Sequence, residues 1–112
     1  MNCNIETTDT FIRRLKVLSK RYKSIKNDLQ TLLAELKDNP YTGTDLGNNL
    51  RKIRLAIKSK GKGKSGGARV ITYTLTVKDN RIDVTLLTIY DKSDRENIPA
   101  HELLDILKAE GL

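Results

Sequence analysis

In the middle of this chain the spacing of apolar residues switches from a helical to a strand period, and that change dictates the fold class. From Asp9 onward, Phe11, Leu15, Leu18 and Tyr22 recur at steps of four, three and four, which is one stripe of an amphipathic helix. Ile25, Leu29, Leu32, Leu33 and Leu36 form a second stripe, with Ser24 placed as its N-cap and Asn39-Pro40 as its stop. Only a few residues separate the two helices, so they are expected to pack as an antiparallel hairpin. After the glycine-bearing loop "YTGTDLGNN" the period drops to that of a strand. In "RKIRLAIK", Ile53, Leu55 and Ile57 alternate with Lys52, Arg54, Ala56 and Lys58, a half-buried strand with a basic outer face. In "ARVITYTLTV", Arg69, Ile71, Tyr73, Leu75 and Val77 share one face, opposite Val70, Thr72, Thr74 and Thr76. "KDNR" reads as a hairpin turn, and "IDVTLLTIY" as a third strand, apolar enough at Leu86, Leu87 and Ile89 to lie centrally. A short strand over residues 2–6, with Cys3 and Ile5 on one face, precedes the helices. A last helix over about residues 99–110 is expected to bury Leu103, Leu104, Ile106 and Leu107, with Gly111 at its C-terminal end. Helices segregate from strands, so the class is α+β: two N-terminal helices packed on a small antiparallel sheet, with a C-terminal helix. A length of 112 residues suits one domain, 1–112.

Charge narrows the partner. The formal net charge is +7, which favours a polyanion, nucleic acid ahead of a membrane surface. Its placement is more informative. Between Asp45 and Asp79 no acidic residue occurs, while Arg51, Lys52, Arg54, Lys58, Lys60, Lys62, Lys64, Arg69 and Lys78 all do. Solubility alone calls for interspersed signs, not an acid-free block. Four Tyr, one Phe and no Trp limit both a large aromatic core and any stacking platform for bases. The single cysteine, Cys3, excludes an internal disulfide and a cysteine-based zinc site, and points to a reducing cytoplasm. No apolar run is long enough to span a bilayer, and the polar start "MNCNIETTDT" lacks the pattern of a signal peptide.

The densest part of that block is "KSKGKGKSGGARVITY", a glycine-broken loop that should join two antiparallel strands. Gly61, Gly63, Gly66 and Gly67 let backbone approach a ligand, and Lys58, Lys60, Lys62 and Lys64 add cations at alternate positions, a combination suited to a phosphate backbone. "GKS" at 63–65 is not a Walker A loop, because Lys58 stands where the first glycine is required and a strand follows instead of a helix. The one histidine, His101, falls in the first turn of the last helix, far from the basic block, and no His, Cys and Asp grouping has metal-ligand or triad spacing. Any cleavage would therefore rest on cations that position a phosphodiester and neutralise the charge developing on it.

The run "LRKIRLAIKSKGKGKSGGARVITY", followed by "LLTIYDKSDREN" and preceded by "DLQTLLAELKDNPYTGTDLG", closely resembles toxins of the RelE/ParE superfamily of type II toxin–antitoxin modules, in particular the RelE- and HigB-like ribosome-dependent ribonucleases. The resemblance runs from about Phe11 to Leu107. It implies a RelE-like fold and an mRNA interferase that enters the ribosomal A site and cuts message by attack of a ribose 2′-hydroxyl on its own phosphate, without metal or small-molecule cofactor. Carried across by position, it casts Lys52, Arg54, Arg69 and Lys92 as the catalytic cations. Tyr90 and Arg95 stand in for a phenol and a charge, since Ser93 follows Lys92 and "SDRENIPAHEL" holds no tyrosine. Strict alternation sets Arg69 with Ile71 and Tyr73, so a twist or bulge is expected to re-aim it. The implied partners are the 70S ribosome with its mRNA, and a cognate antitoxin whose acidic segment covers the basic face. The implied compartment is the cytoplasm. Two alternatives stand beside this: a ParE-like toxin that inhibits DNA gyrase by protein binding, and a basic RNA-binding module without catalysis.

Overall fold

The computed structural model describes residues 2–112. In chain order the elements are β1 (Asn2–Thr7), α1 (Asp9–Arg21), α2 (Ile25–Asp38), β2 (Thr44–Gly47), β3 (Leu50–Leu55), β4 (Ala68–Thr76), β5 (Arg81–Asp91) and α3 (Ala100–Ala109), with one 3₁₀ turn at Lys58–Lys60. The five strands form one sheet in the order β1-β5-β4-β3-β2. The chain is thus α+β, as its spacing dictates.

Two features of the sheet depart from expectation. β1 pairs with β5 in parallel, from Asn2 opposite Arg81 to Thr7 opposite Leu86, so the sheet is mixed and not purely antiparallel. Two helices intervene between β1 and the next strand, and a long crossover permits the parallel direction that a tight hairpin forbids. The glycine-bearing segment before β3 is not all loop: it contains β2, which pairs antiparallel with β3. Asn48 and Asn49, with φ of 54° and 64°, supply the two left-handed residues that a tight hairpin turn requires. Asp79 and Asn80, both at φ 62°, do the same between β4 and β5, within the "KDNR" turn.

Each sheet face has its own cover. On one, Phe11 and Leu18 of α1 and Ile25, Leu29, Leu32 and Leu36 of α2 pack on Ile53, Leu55, Val70, Ile82, Val84, Leu86 and Ile89. On the other, Leu103 and Leu107 of α3 pack on Leu50, Ile71, Leu87 and Tyr90. Each such aliphatic side chain contributes about 1.5–3 kcal/mol when fully buried. Leu104 does not join them: it is 47% exposed, because the buried stripe of α3 follows the i, i+4 pair Leu103 and Leu107, and the next residue is turned away. α1 starts at Thr8, whose hydroxyl oxygen accepts from the Phe11 N–H at 2.9 Å and donates to the Leu87 carbonyl at 2.7 Å, pinning the helix to β5. Ser24 precedes α2 but makes no capping bond; its hydroxyl turns to Asp28 instead, at 2.7 Å.

A bulge in β5 decides which way its last residues face. Ile71 lies opposite Thr88 and Thr72 opposite Leu86, which leaves Leu87 as the extra residue of β5. Before it Ile82, Val84 and Leu86 face the helical layer of α1 and α2; after it Ile89 does, and Tyr90 turns to the α3 side.

Candidate functional site

α3 covers only part of its sheet face, and the cations occupy the remainder. Alternation along β3 puts Lys52 and Arg54 on the face of Leu50, away from Ile53 and Leu55. On β4, Arg69 shares the face of Ile71, which belongs to the α3 cluster. The strand register then lines up one row across three strands: Arg54 opposite Arg69, and Arg69 opposite Tyr90. Lys52 lies one step along, opposite Ile71. No bulge is needed to bring Arg69 to the basic face. Ile71 and Tyr73 do not mark the main core, because this sheet has apolar residues on both sides.

Like charges directly opposite one another in a ladder repel, so the row is held by other bonds. Arg69 is only 5% exposed, and its guanidinium donates to three backbone carbonyls: Nη1 to Lys64 at 3.0 Å and to Ala68 at 3.1 Å, and Nη2 to Ser65 at 3.0 Å. The glycine–lysine loop thus folds back onto the arginine that follows it. Among the described residues, none of Lys52, Arg54, Lys58, Lys62, Lys64 or Arg69 takes part in an ion pair. Lys52 Nζ donates to Asn97 Oδ1 at 3.2 Å, and Arg54 is exposed. Lys52, Arg54 and Lys64 also line one shallow cleft with Glu35, Thr42 and Thr44.

Tyr90 is nearly buried and its hydroxyl has no hydrogen-bond partner. Burial pushes the phenol above its ordinary value against the opposing pull of Arg69 and Arg95, so it is a neutral donor. Lys92 follows on the β5 exit, with its backbone N–H donating to the Gly67 carbonyl at 3.0 Å and its Nζ 3.9 Å from Glu96 Oε1. Arg95 is committed elsewhere: its two Nη atoms reach both oxygens of Glu102 at 3.0 and 2.8 Å, and the same bonds hold the Glu102 carboxyl below its usual range.

The four alternate lysines of the loop do not share one environment. Lys62 and Lys64 are exposed, and so is the Lys58 side chain. The Lys60 side chain is 9% exposed and crosses to the α1 side, where its Nζ meets Asp91 Oδ1 and Ser93 Oγ, both at 2.6 Å. The 3₁₀ turn explains the split, since Lys58–Lys60 curls where a free loop would extend. Gly67 is the tightest point of the return: a Cβ there would lie 2.1 Å from the Leu55 carbonyl oxygen.

No protein-family model matches the sequence. Among solved structures the chain superposes on a mutant of the E. coli toxin RelE in the free state, with two arginines changed to alanine, at a TM-score of 0.57 and 16% identity over 100% of both chains. The fold is that of RelE. On this RelE-like scaffold the outer face of the sheet brings together Lys52, Arg54, Arg69 and Tyr90. It leaves Arg95 in its own ion pair and draws Lys60 to the opposite side. His101 lies exposed on α3. Among the described residues no group of three His, Cys, Asp or Glu could hold a metal, and no helix is long and apolar enough to cross a membrane.

Sequence reasoning missed the residue that organises the back of the site. Asp91, whose side chain is fully buried, accepts from Lys60, Tyr22, Arg21 and the Ser93 N–H. Burial alone would raise its pKa; those bonds more than offset this and hold it well below the usual carboxylate range. One signal was available: an aspartate that ends an apolar strand and immediately precedes a site lysine.

Proposed function

We propose that this chain is the toxin of a type II toxin–antitoxin pair and acts as a ribosome-dependent endoribonuclease on mRNA in the A site. The observation that supports this most is the register that lines up Arg54, Arg69 and Tyr90, with Lys52 beside them and, among the described residues, no carboxylate paired to the three cations. A surface that existed only for solubility would gain nothing from two guanidinium groups set across neighbouring strands.

In this reading the ribose 2′-oxygen forms a bond to the adjacent phosphorus as the bond to the 5′-oxygen breaks, leaving a cyclic phosphate and a 5′-hydroxyl. Charge accumulates on the phosphoryl oxygens in the transition state. Arg69, with three of its five N–H donors on carbonyls, has two left for a phosphate, and Arg54 and Lys52 add exposed charge beside it. Tyr90 supplies a neutral donor, and Lys92 a further cation. Lys58, Lys62 and Lys64 bind the flanking RNA backbone. The chemistry needs no metal and no cofactor. The protein works in the cytoplasm, and an antitoxin with an acidic segment neutralises it by covering the basic face.

Gyrase inhibition in the manner of ParE acts by protein binding and has no use for this row. The test is to induce the chain in cells and map transcript ends. Cuts confined to translated messages, reduced about 10²-fold by Arg69→Ala, are expected; intact messages accompanied by gyrase-linked DNA breaks would reject the ribonuclease.

A further inference from the structure

The loop that holds Arg69 is itself held from the opposite side of the sheet. Its first residues are anchored at two points. The Lys58 N–H donates to Asp28 Oδ2 at 3.1 Å, and the Ser59 N–H donates to Ser24 Oγ at 2.9 Å, which ties the turn to the start of α2. Lys60 then reaches Asp91, an ion pair with neither side chain more than 9% exposed. Tyr22 and Arg21, at the end of α1, bind the second oxygen of the same carboxylate, with Arg21 at 2.9 Å. Beyond Lys60 the loop runs exposed through Gly61–Ser65 and returns to offer the Lys64 and Ser65 carbonyls to Arg69. At its far end the Gly67 carbonyl accepts from the Lys92 N–H, the residue next to Asp91. One carboxylate therefore sits at the junction of α1, the loop and the β5 exit.

We infer that Asp91 is a positioning residue for the cation row: through Lys60 it fixes the loop whose carbonyl oxygens set the orientation of the Arg69 guanidinium. It touches no substrate. The inference rests on the ribonuclease reading for its consequence in catalysis, but the orientation of Arg69 can be read without any RNA. A buried ion pair is a poor source of stability, because desolvation of both charges offsets their attraction, and its better use is to specify one geometry. Here the geometry specified is that of a loop with five exposed residues in succession and positive φ at Gly61 and Gly63, to which Lys60 adds a side-chain anchor beyond the backbone bonds of Lys58 and Ser59.

The experiment uses the full chain and two variants, Asp91→Asn and Lys60→Met, each keeping the volume of the side chain it replaces. The first readout is the NMR signature of the Arg69 guanidinium: hindered rotation with resolved Nη protons in the wild type, and averaged signals in both variants. The second is cleavage of message on translating ribosomes, with kcat falling by about 10²-fold and KM holding, as a misplaced catalytic group gives. If Asp91→Asn does not fold, Lys60→Met decides alone. Variants that lose stability while Arg69 stays ordered and kcat per folded molecule is unchanged would overturn the inference and leave the ribonuclease reading standing. If the wild type cuts no message, that reading fails, and the Arg69 signals alone decide the positioning role.

Discussion

Removing Arg54 should make this protein weaker at its task and no less stable. Arg54 is exposed, has no acidic partner among the described residues, and stands directly opposite Arg69, whose guanidinium is held by three carbonyls. Directly opposed side chains in an antiparallel ladder start about 5 Å apart, and at a separation on the order of 6 Å two unit charges repel by about 0.7 kcal/mol in water and about 2.8 kcal/mol at an effective dielectric of 20. The exposed partner brings the pair toward the lower figure, and physiological salt reduces it to about half. Arg54→Ala is therefore expected to raise stability by about 0.3–0.7 kcal/mol, a rise of about 2–4 °C in Tm at low salt that shrinks as salt is added. Cleavage of message on translating ribosomes should fall about 10²-fold in the same variant. Thermal unfolding at low and high salt, measured beside the cleavage rate, separates the two effects. A loss of more than about 1 kcal/mol with cleavage intact would show that Arg54 supports the sheet and not the phosphate, and the reasoning would be wrong.

The same geometry sets other expectations. Gly67→Ala places a methyl 2.1 Å from the Leu55 carbonyl oxygen, so it should cost about 3 kcal/mol in urea unfolding. Gly61→Ala, at φ 74° in open space, should cost only about 1 kcal/mol; equal effects would contradict the tight return. Asp91 has a folded pKa below its unfolded value near 3.9, so its contribution is complete above that pH and is lost as pH falls toward the folded value. The stability gap between wild type and Asp91→Asn should thus stay constant from neutral pH to about 4 and close only below it; a gap closing between pH 7 and 5 would assign the effect to another group. Neutralising Lys62 and Lys64 should flatten the log–log salt dependence of RNA binding by about 0.7 per lysine, and an unchanged slope would remove both from the interface.

The helices, the three long strands and the turn at Asp79 and Asn80 are legible in the sequence because each rests on local periodicity or turn chemistry. What is not legible depends on pairing over distance. The direction of β1 is set by its crossover, and no pattern inside residues 2–7 records it. β2 is too short to show alternation, although the paired asparagines at 48 and 49 carry a turn signal. Apolarity alone assigns Leu104 to the core, while the i, i+4 step from Leu103 to Leu107 decides the buried side. At the site, alternation correctly puts Lys52 and Arg54 together. Arg69 looks misdirected only if one face of the sheet is taken as buried, and α3 gives the second face its own apolar cluster. Lys60 cannot be told from its neighbours by sequence, since its partner Asp91 lies 31 residues away.

Whether the outer face of β3 and β4 grips a phosphodiester is decided by a structure of the chain on a ribosome whose message carries a 2′-O-methyl at the scissile nucleotide. A phosphate oxygen within hydrogen-bond distance of both the Arg69 and Arg54 guanidinium groups is expected. A message path that leaves this row facing solvent, or an empty A site, would contradict it.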